Sequence, residues 1–267
     1  VCGMKPTLGL ISRYGVVPVS RSLDTMGFFT RTVEDAALIL SLLCKNDPQD
    51  EISIQSEPIQ YPEALKAPIK APRVAVMKQY FFNESTDEIR THTDAVITKL
   101  ADAGAVVQEV NIPSDISAVG DAHVLVQGTE ASAVHQDNYK LRPDDFAPGV
   151  RGVIETGLAV SATGYVKAQE LRRIFTQEIT AAIKPFDVIL TPSTPAPAPG
   201  TATTGPPTCQ WPWTTCGFPA ITVPSGLSQD GMPLGIQLAA TSLNEKKLLV
   251  VAKWCEDVLG VRLASPV

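Results

Sequence analysis

The apolar and polar positions between residues 73 and 110 form the most readable pattern in the chain. Arg73-Val74-Ala75-Val76-Met77 is a short apolar run and predicts a strand. Ile89, Val96, Ile97 and Leu100 recur at helical spacing across residues 86–103, and Gly104 follows where a helix end favours a left-handed residue. Residues 105–110, Ala-Val-Val-Gln-Glu-Val, predict a second strand. Strand, helix and strand in direct succession make a βαβ unit, which favours parallel strands in an α/β sheet.

Upstream, Ala36, Ala37, Leu38, Ile39, Leu40, Leu42 and Leu43 are apolar almost all round a helix, so that helix is expected to be buried. Thr32 is its N-cap, and Asp35 stands three positions on, as in a capping box. The helix stops before Asn46-Asp47-Pro48. Residues 3–22 carry short runs such as Leu8-Gly9-Leu10-Ile11 and Gly15-Val16-Val17-Pro18, which read as strands and turns. Residues 49–72 are polar, contain Pro58, Pro62, Pro68 and Pro72, and read as a surface loop between layers.

Residues 114–184 are mostly helical in pattern, with interruptions at Pro143, Pro148, Gly149 and Gly152. The clearest helix spans 161–183, with Val166, Leu171, Ile174, Phe175, Ile179 and Ile183 on one side. Asp187-Val188-Ile189-Leu190-Thr191-Pro192 reads as a buried strand. Residues 193–207 then hold five prolines and no charge. A run this long without an element is either an extended surface loop or the lining of a site. Residues 220–224 and 234–239 predict paired strands, with Ser228-Gln229-Asp230-Gly231 as the turn between them. Asn244 caps a last helix that runs through Leu259 to Gly260 and buries Leu248, Leu249, Val251, Ala252, Trp254, Cys255, Val258 and Leu259.

Composition narrows the class. Hydrophobic residues at 44% and charged residues at 19% suit a soluble globular core. A net charge of -6 argues against a nucleic-acid surface, which needs clustered Lys and Arg. No apolar run reaches the ~18 residues of a membrane span. Cys2, Cys44, Cys209, Cys216 and Cys255 have no metal spacing and read as free buried thiols in a reducing, cytoplasmic setting. His92, His123 and His135 are scattered and read as structural or solvated. There is no Gly-x-Ser-x-Gly elbow, His-Glu-x-x-His, Cys-x-x-Cys or Walker loop. Glu34-Asp35, Asp144-Asp145 and Glu256-Asp257 are adjacent pairs whose side chains diverge on a helix, so they read as solvated or capping groups. The residues alone give an α/β protein with a Pro-rich, Trp-bearing loop near a sheet edge, and no cofactor or metal is expected.

Two ordered blocks add a resemblance. The first holds Gly3-Met4-Lys5-Pro6-Thr7, Ser12-Arg13-Tyr14-Gly15, Ser22-Leu23-Asp24 and Thr30-Arg31-Thr32-Val33-Glu34-Asp35. The second is Gly217-Phe218-Pro219-Ala220-Ile221-Thr222-Val223-Pro224 followed by Gly231-Met232-Pro233-Leu234-Gly235-Ile236-Gln237-Leu238. Their order and spacing resemble the amidase signature family, the serine amidohydrolases that include the A subunit of glutamyl-tRNA amidotransferase. The resemblance implies a mixed sheet flanked by helices. It makes residues 1–267 the C-terminal portion of a single domain, with residues 114–184 a helical embellishment at the substrate entrance. It also implies a Ser–cis-Ser–Lys triad, whose nucleophile stands in a Gly-Gly-Ser segment just before the Lys-Pro-Thr run. No Gly-Gly-Ser occurs in this sequence. The triad is therefore expected upstream of Val1, and Lys5 matches the structural Lys of the Lys-Pro-Thr run rather than the base.

In place of catalytic residues, the resemblance implies a pocket. Ser22, Leu23, Asp24, Thr25 and Met26 correspond to a turn bordering the nucleophile, and Gln210, Trp211, Trp213, Thr214 and Cys216 to the wall of the acyl pocket. Residues 193–216 contain no Asp or Glu, whereas the amidotransferase A subunit carries an acidic residue there. The tryptophans instead suit an aryl or alkyl amide, since aromatic walls bury apolar area. The expected partners are a small-molecule amide and the N-terminal half of the same fold, with a homodimer as one allowed assembly and no role for nucleic acid or membrane. The rival readings are an amidotransferase A subunit-like protein that needs partner subunits and tRNA, and a truncated chain without catalysis.

Overall fold

A computed structural model describes residues 1–55, 60–67, 69 and 71–262. Pro58 and Pro68 of the proline-bearing loop lie outside the described residues. In chain order the elements are β1 (Cys2–Lys5), β2 (Phe28–Thr30), α1 (Val33–Leu43), α2 (Tyr61–Ala64), β3 (Arg73–Val76), α3 (Asp87–Asp102), β4 (Val106–Glu109) and α4 (Ile116–Leu141). A 3-10 turn (Pro143–Asp145) leads to α5 (Pro148–Leu158), α6 (Ala162–Ile183), β5 (Val188–Pro192), α7 (Trp211–Cys216), β6 (Ala220–Leu227), β7 (Pro233–Ala239) and α8 (Glu245–Leu259). Among the described residues no helix is long and apolar enough to cross a membrane.

The strands form one mixed sheet in the order β2-β1-β6-β7-β5-β3-β4. The expected βαβ unit is present: β3 and β4 pair in parallel, from Arg73↔Val106 to Val76↔Glu109. β5 adds in parallel on the other side of β3, and all five of its residues are buried, as a strand covered on both faces requires. From β7 to β2 the pairing is antiparallel. Alternation along the strands divides the core in two. Val74, Val76, Leu190, Ile221, Val223 and Leu238 face a layer that includes Leu40, Leu100, Leu248 and Leu249. Ala75, Met77, Ile189 and Ala239 face Val119, Phe175, Ile179 and Trp213.

Local signals account for most helix ends. Thr32 accepts from Asp35 N at 3.1 Å and starts α1. Glu256 on α8 adds a carboxylate to the same end, accepting from Val33 N at 2.9 Å, so this member of an adjacent acidic pair is a cap. Thr86 caps α3, and Gly104 follows it at φ 107°. All five cysteines are free and buried.

Several expectations need correction. The helix expected to be buried all round is covered on one side only: Val33, Ala36, Ala37 and Leu40 are buried, while Leu38 is 52% and Leu42 63% exposed. No described element packs on that outer face. In α6, Phe175, Ile179 and Ile183 are buried but Val166 is 65% exposed. At about 100° per residue Val166 lies opposite Phe175. Leu8-Gly9-Leu10-Ile11 and Gly15-Val16-Val17-Pro18 are turns, not strands. Gly9 is required there: φ is +82°, and a Cβ would lie 2.3 Å from Ile52 O. Asn244 occupies the cap position of α8, but its side chain donates to Thr241 Oγ1 and Ser242 O instead. The buried Glu245 anchors that end, accepting from Thr7 N at 2.8 Å and from the Thr7 hydroxyl.

Two further contacts fix the regions that border the site. Arg13 donates from N, Nε and Nη2 to Asp50, holding the Ser12-Arg13-Tyr14-Gly15 turn against residues 47–53. In the helical region, α4 and α5 meet through two glycines: a Cβ on Gly157 would lie 1.8 Å from Gly128 O.

Gly157→Ala is expected to cost at least ~1–3 kcal/mol in urea unfolding, because backbone has to move. Gly152→Ala in the same helix meets nothing within 4 Å and should gain ~0.5–1 kcal/mol from helix propensity. Equal effects from the two would sink the close-packing account. The hydrogen bonds from Arg13 hold the Asp50 carboxyl down at about 2, against an ordinary 3.8. A depressed folded value contributes stability above the unfolded pKa and loses it as pH falls through the folded one. Asp50→Asn should therefore cost on the order of 2 kcal/mol at pH 7, and its deficit relative to wild type should shrink between about pH 4 and pH 2. Urea titrations across that range measure it; a deficit independent of pH would contradict the ion-pair origin.

Candidate active site

Three parallel strands lead into the region of interest. β3 and β5 run side by side, and the chain leaving their carboxyl ends supplies Tyr80 and, after the Pro-rich loop, Trp211. In open α/β sheets this is where loops converge on a crevice. Tyr80 has φ 66°, a left-handed conformation that costs a tyrosine ~1–2 kcal/mol. That geometry allows its hydroxyl to accept from Trp211 Nε1 at 3.0 Å, with ring centroids 5.8 Å apart at 74°. The Trp211 ring also lies 5.8 Å from the His123 ring and 6.2 Å from Phe175. Gly120 on α4 makes room for it, since a Cβ there would lie 3.1 Å from the indole.

A cleft of about 520 Å³ opens beside Trp211, between α4 and α7. Gln210, Trp211 and Thr214 line it together with Pro207, Tyr80 and His123. His123 Nδ1 is 2.7 Å from Thr215 Oγ1, and burial, aided by the charge of Arg172, pulls its pKa down to about 4. At neutral pH it is an uncharged imidazole. Gln210 donates from Nε2 to Ser193 O at 2.5 Å, tying the start of the Pro-rich loop to α7. Most of residues 196–206 are exposed, so that part of the run is a surface loop, and only its ends reach the cleft.

The Ser22 turn is built separately. Asp24 accepts from Val19 N at 2.8 Å and Ser20 N at 3.0 Å, which closes the turn on itself. Leu23 is buried against Ala122, Val126 and Ala168. Asp24, Thr25 and Met26 line a second cleft of about 530 Å³ with Arg13, Tyr14 and Val17. The sequence-derived residues thus fall into two groups, one around each cleft. Two of them stand behind the walls. Trp213 is 1% exposed and stacked on Phe81 at 5.8 Å and 5°, so its ring belongs to the core. Cys216 is 9% exposed, and burial pushes its thiol up to about 12, which leaves it protonated and inert.

Arg172 joins the two groups. Its Nε donates to Thr215 O at 2.7 Å, and Nη1 and Nη2 donate to Ser22 Oγ and Ser22 O at 2.8 Å each. Glu130 faces it across Ser22, accepting from Ser22 N at 2.8 Å, Ser22 Oγ at 2.7 Å, Ser20 Oγ at 2.6 Å and Tyr165 OH at 2.8 Å. Burial pushes the Glu130 carboxyl up, but these hydrogen bonds outweigh it and leave the group below its usual range. Burial likewise lowers the Arg172 pKa, with Glu130 opposing. The Ser22 hydroxyl is already engaged on both sides and is not a free nucleophile.

Sequence reasoning missed Arg172, Glu130, His123 and Tyr80. Two of them left a signal. Arg172 stands on the stripe of Ala168, Phe175 and Ile179, and Glu130 stands one turn beyond Val126 on the stripe of Val119 and Ala122. A charge on a buried stripe needs a partner. Lys5 donates to Phe218 O and Pro6 O, and burial pulls its ammonium down to about 8; it braces the start of β6. Among the described residues no group of His, Cys, Asp and Glu is arranged to hold a metal ion.

The chain is similar to the A subunit of glutamyl-tRNA(Gln) amidotransferase from Alkaliphilus metalliredigens, at 33% identity over 99% of this chain and 60% of that relative. The same subunit of Halothermothrix orenii is 29% identical over 100% of this chain and 62% of its own length. The chain therefore spans about three fifths of the length of these curated relatives. Among solved structures, an amidase superposes with a TM-score of 0.81 at 26% identity, covering 96% of this chain and 58% of the other. A vestigial complex described as revealing the origins of an s-triazine catabolic enzyme superposes with a TM-score of 0.85 at 26% identity, covering 96% and 58%. The native peptide amidase of Stenotrophomonas maltophilia shares the fold at 24% identity and a TM-score of 0.78, over 98% of this chain and 59% of that one. A family model described as amidase matches residues 1–249. The Lys-Pro-Thr and Gly-Phe-Pro-Ala blocks meet on adjacent strands in this sheet, Lys5 opposite Ala220, and with that match over most of its length the chain belongs to the amidase signature family.

Proposed function

We propose that this chain supplies the substrate-pocket part of an amidase that hydrolyses carboxylic amides, with small aryl or alkyl amides as substrates. Residues 1–267 are then the C-terminal portion of one α/β domain, and residues 114–184 its helical embellishment. The Ser–cis-Ser–Lys triad lies in the segment before Val1. Lys draws the proton from the nucleophilic Ser through the cis-Ser, and the Ser attacks the amide carbonyl. Backbone N–H groups hold the oxyanion, ammonia or an amine leaves, and water hydrolyses the acyl-enzyme. The scheme uses no cofactor.

The observation that carries this reading is the Trp211 wall over the carboxyl ends of β3 and β5, with the Ser22 turn tied to the same short helix by Arg172. Uncovered surface supports a further part of the same fold as partner. β2 is an edge strand, Phe29 on it is 79% exposed, and the outer face of α1 presents Leu38 and Leu42. A second copy of the chain is the rival occupant. Five buried free thiols suit the cytoplasm. Sequence similarity favours a second reading, an amidotransferase A subunit-like protein acting with partner subunits and tRNA. Against it, residues 193–216 hold no carboxylate to receive the amino group of glutamine; the carboxylates on that cleft, Glu84 and Asp121, come from other elements.

The 267 residues alone should hydrolyse neither benzamide nor propionamide, and the same residues joined to their upstream segment should hydrolyse both. Ordinary turnover by the 267 residues would refute the placement of the triad. In the joined protein, Trp211→Ala removes aromatic area from the cleft. It should lower kcat/KM for benzamide by on the order of 1–3 kcal/mol and that for propionamide by less. Trp213→Ala empties a core site instead and should cost ~3–5 kcal/mol of stability, with equal losses for both amides. If Trp211→Ala behaves like Trp213→Ala, the aryl-amide reading fails.

A further inference from the structure

Glu130 and Arg172 have no role in the acyl transfer just described, yet both put a charge on a buried helical stripe. What they hold is specific. Ser22 donates its N–H and its hydroxyl to Glu130, and its carbonyl and hydroxyl oxygens accept from Arg172. Arg172 spends its remaining Nε on Thr215 O, and Gln169 bridges the pair, donating to Glu130 at 3.4 Å and accepting from Arg172 at 3.4 Å. Tyr165 completes the set. The two charges therefore meet through the Ser22 turn rather than directly.

We infer that Glu130 and Arg172 are positioning residues: together they lock the Ser22 turn to α7 and so fix the Trp211 wall of one cleft against the turn that lines the other. This rests on the amidase reading. Thr215 lies one helical turn beyond Trp211, so a shift of its carbonyl moves the indole with it. The turn on the other side carries Asp24, Thr25 and Met26 into the second cleft. A planar guanidinium reaches both carbonyls at once, whereas a lysine ammonium in the same place keeps the charge but not the bridge. Amides large enough to rest on the Trp211 wall depend on the clasp more than small ones do.

Arg172→Lys, Arg172→Gln and Glu130→Gln in the full-length protein that carries this chain separate the cases. We expect both Arg172 variants to raise KM for a bulky anilide roughly 10- to 100-fold, as misplaced positioning groups do, and to raise KM for acetamide by a clearly smaller factor. Amide hydrogen exchange should rise in residues 18–26 and 210–216 together. Glu130→Gln keeps size and should show the same pattern more weakly, which covers the case in which an Arg172 variant does not fold. Wild-type behaviour of Arg172→Lys, parallel losses on both amides in step with Tm, or faster exchange in one segment alone would each overturn the inference. A wild-type protein that hydrolyses no amide would overturn the amidase reading instead, and the exchange comparison would still decide the clasp.

Discussion

A charge drawn partly out of water has to be satisfied, and in this fold that requirement is placed where it organises the loops around it. Arg172 and Glu130 stand half-buried on neighbouring helices, and each gives up part of its hydration there. What offsets that cost is a set of acceptors and donors drawn from the Ser22 turn and α7. Removing any one member leaves the others unmatched. Two loops distant in sequence thereby acquire a fixed relation that apolar packing alone, which is not directional, does not impose.

The sheet decides where those loops emerge. The parallel trio β4, β3 and β5 points its carboxyl ends at one crevice, and Tyr80 and Trp211 arrive there by different routes. The antiparallel part carries the other motif blocks, with Met4 opposite Ile221 and Lys5 opposite Ala220. One half of the sheet thus frames a cleft, and the other half brings the two signature blocks together.

Legibility in the sequence followed the range of the interactions. The βαβ unit, the Thr32 cap and the buried β5 are local or periodic, and each was readable from residues close together. The all-round burial expected of α1 was not, because Leu38 and Leu42 look the same in sequence whether or not something covers them. The two tryptophans are only two residues apart, but the roughly 200° between such positions on a helix sends Trp211 to the cleft and Trp213 to Phe81. The sequence showed no helix at residues 211–216, so the two could not be told apart. Arg172 and Glu130 were visible as charges on apolar stripes, but their common partner at Ser22 was not.

The long reach of the N-terminal contacts has a consequence for synthesis. β1 pairs with residues more than two hundred positions later, and Thr7 is held by Glu245 at the start of α8. Residues 73–110 complete their unit from near neighbours, so they have what they need soon after leaving the ribosome. The Lys-Pro-Thr turn does not. It emerges before them and has only β2, with its exposed phenylalanine, to pair with until the last hairpin and helix have been made. During that interval a short apolar edge stands open. In this part of the protein, a segment made early is among the last to find all of its partners.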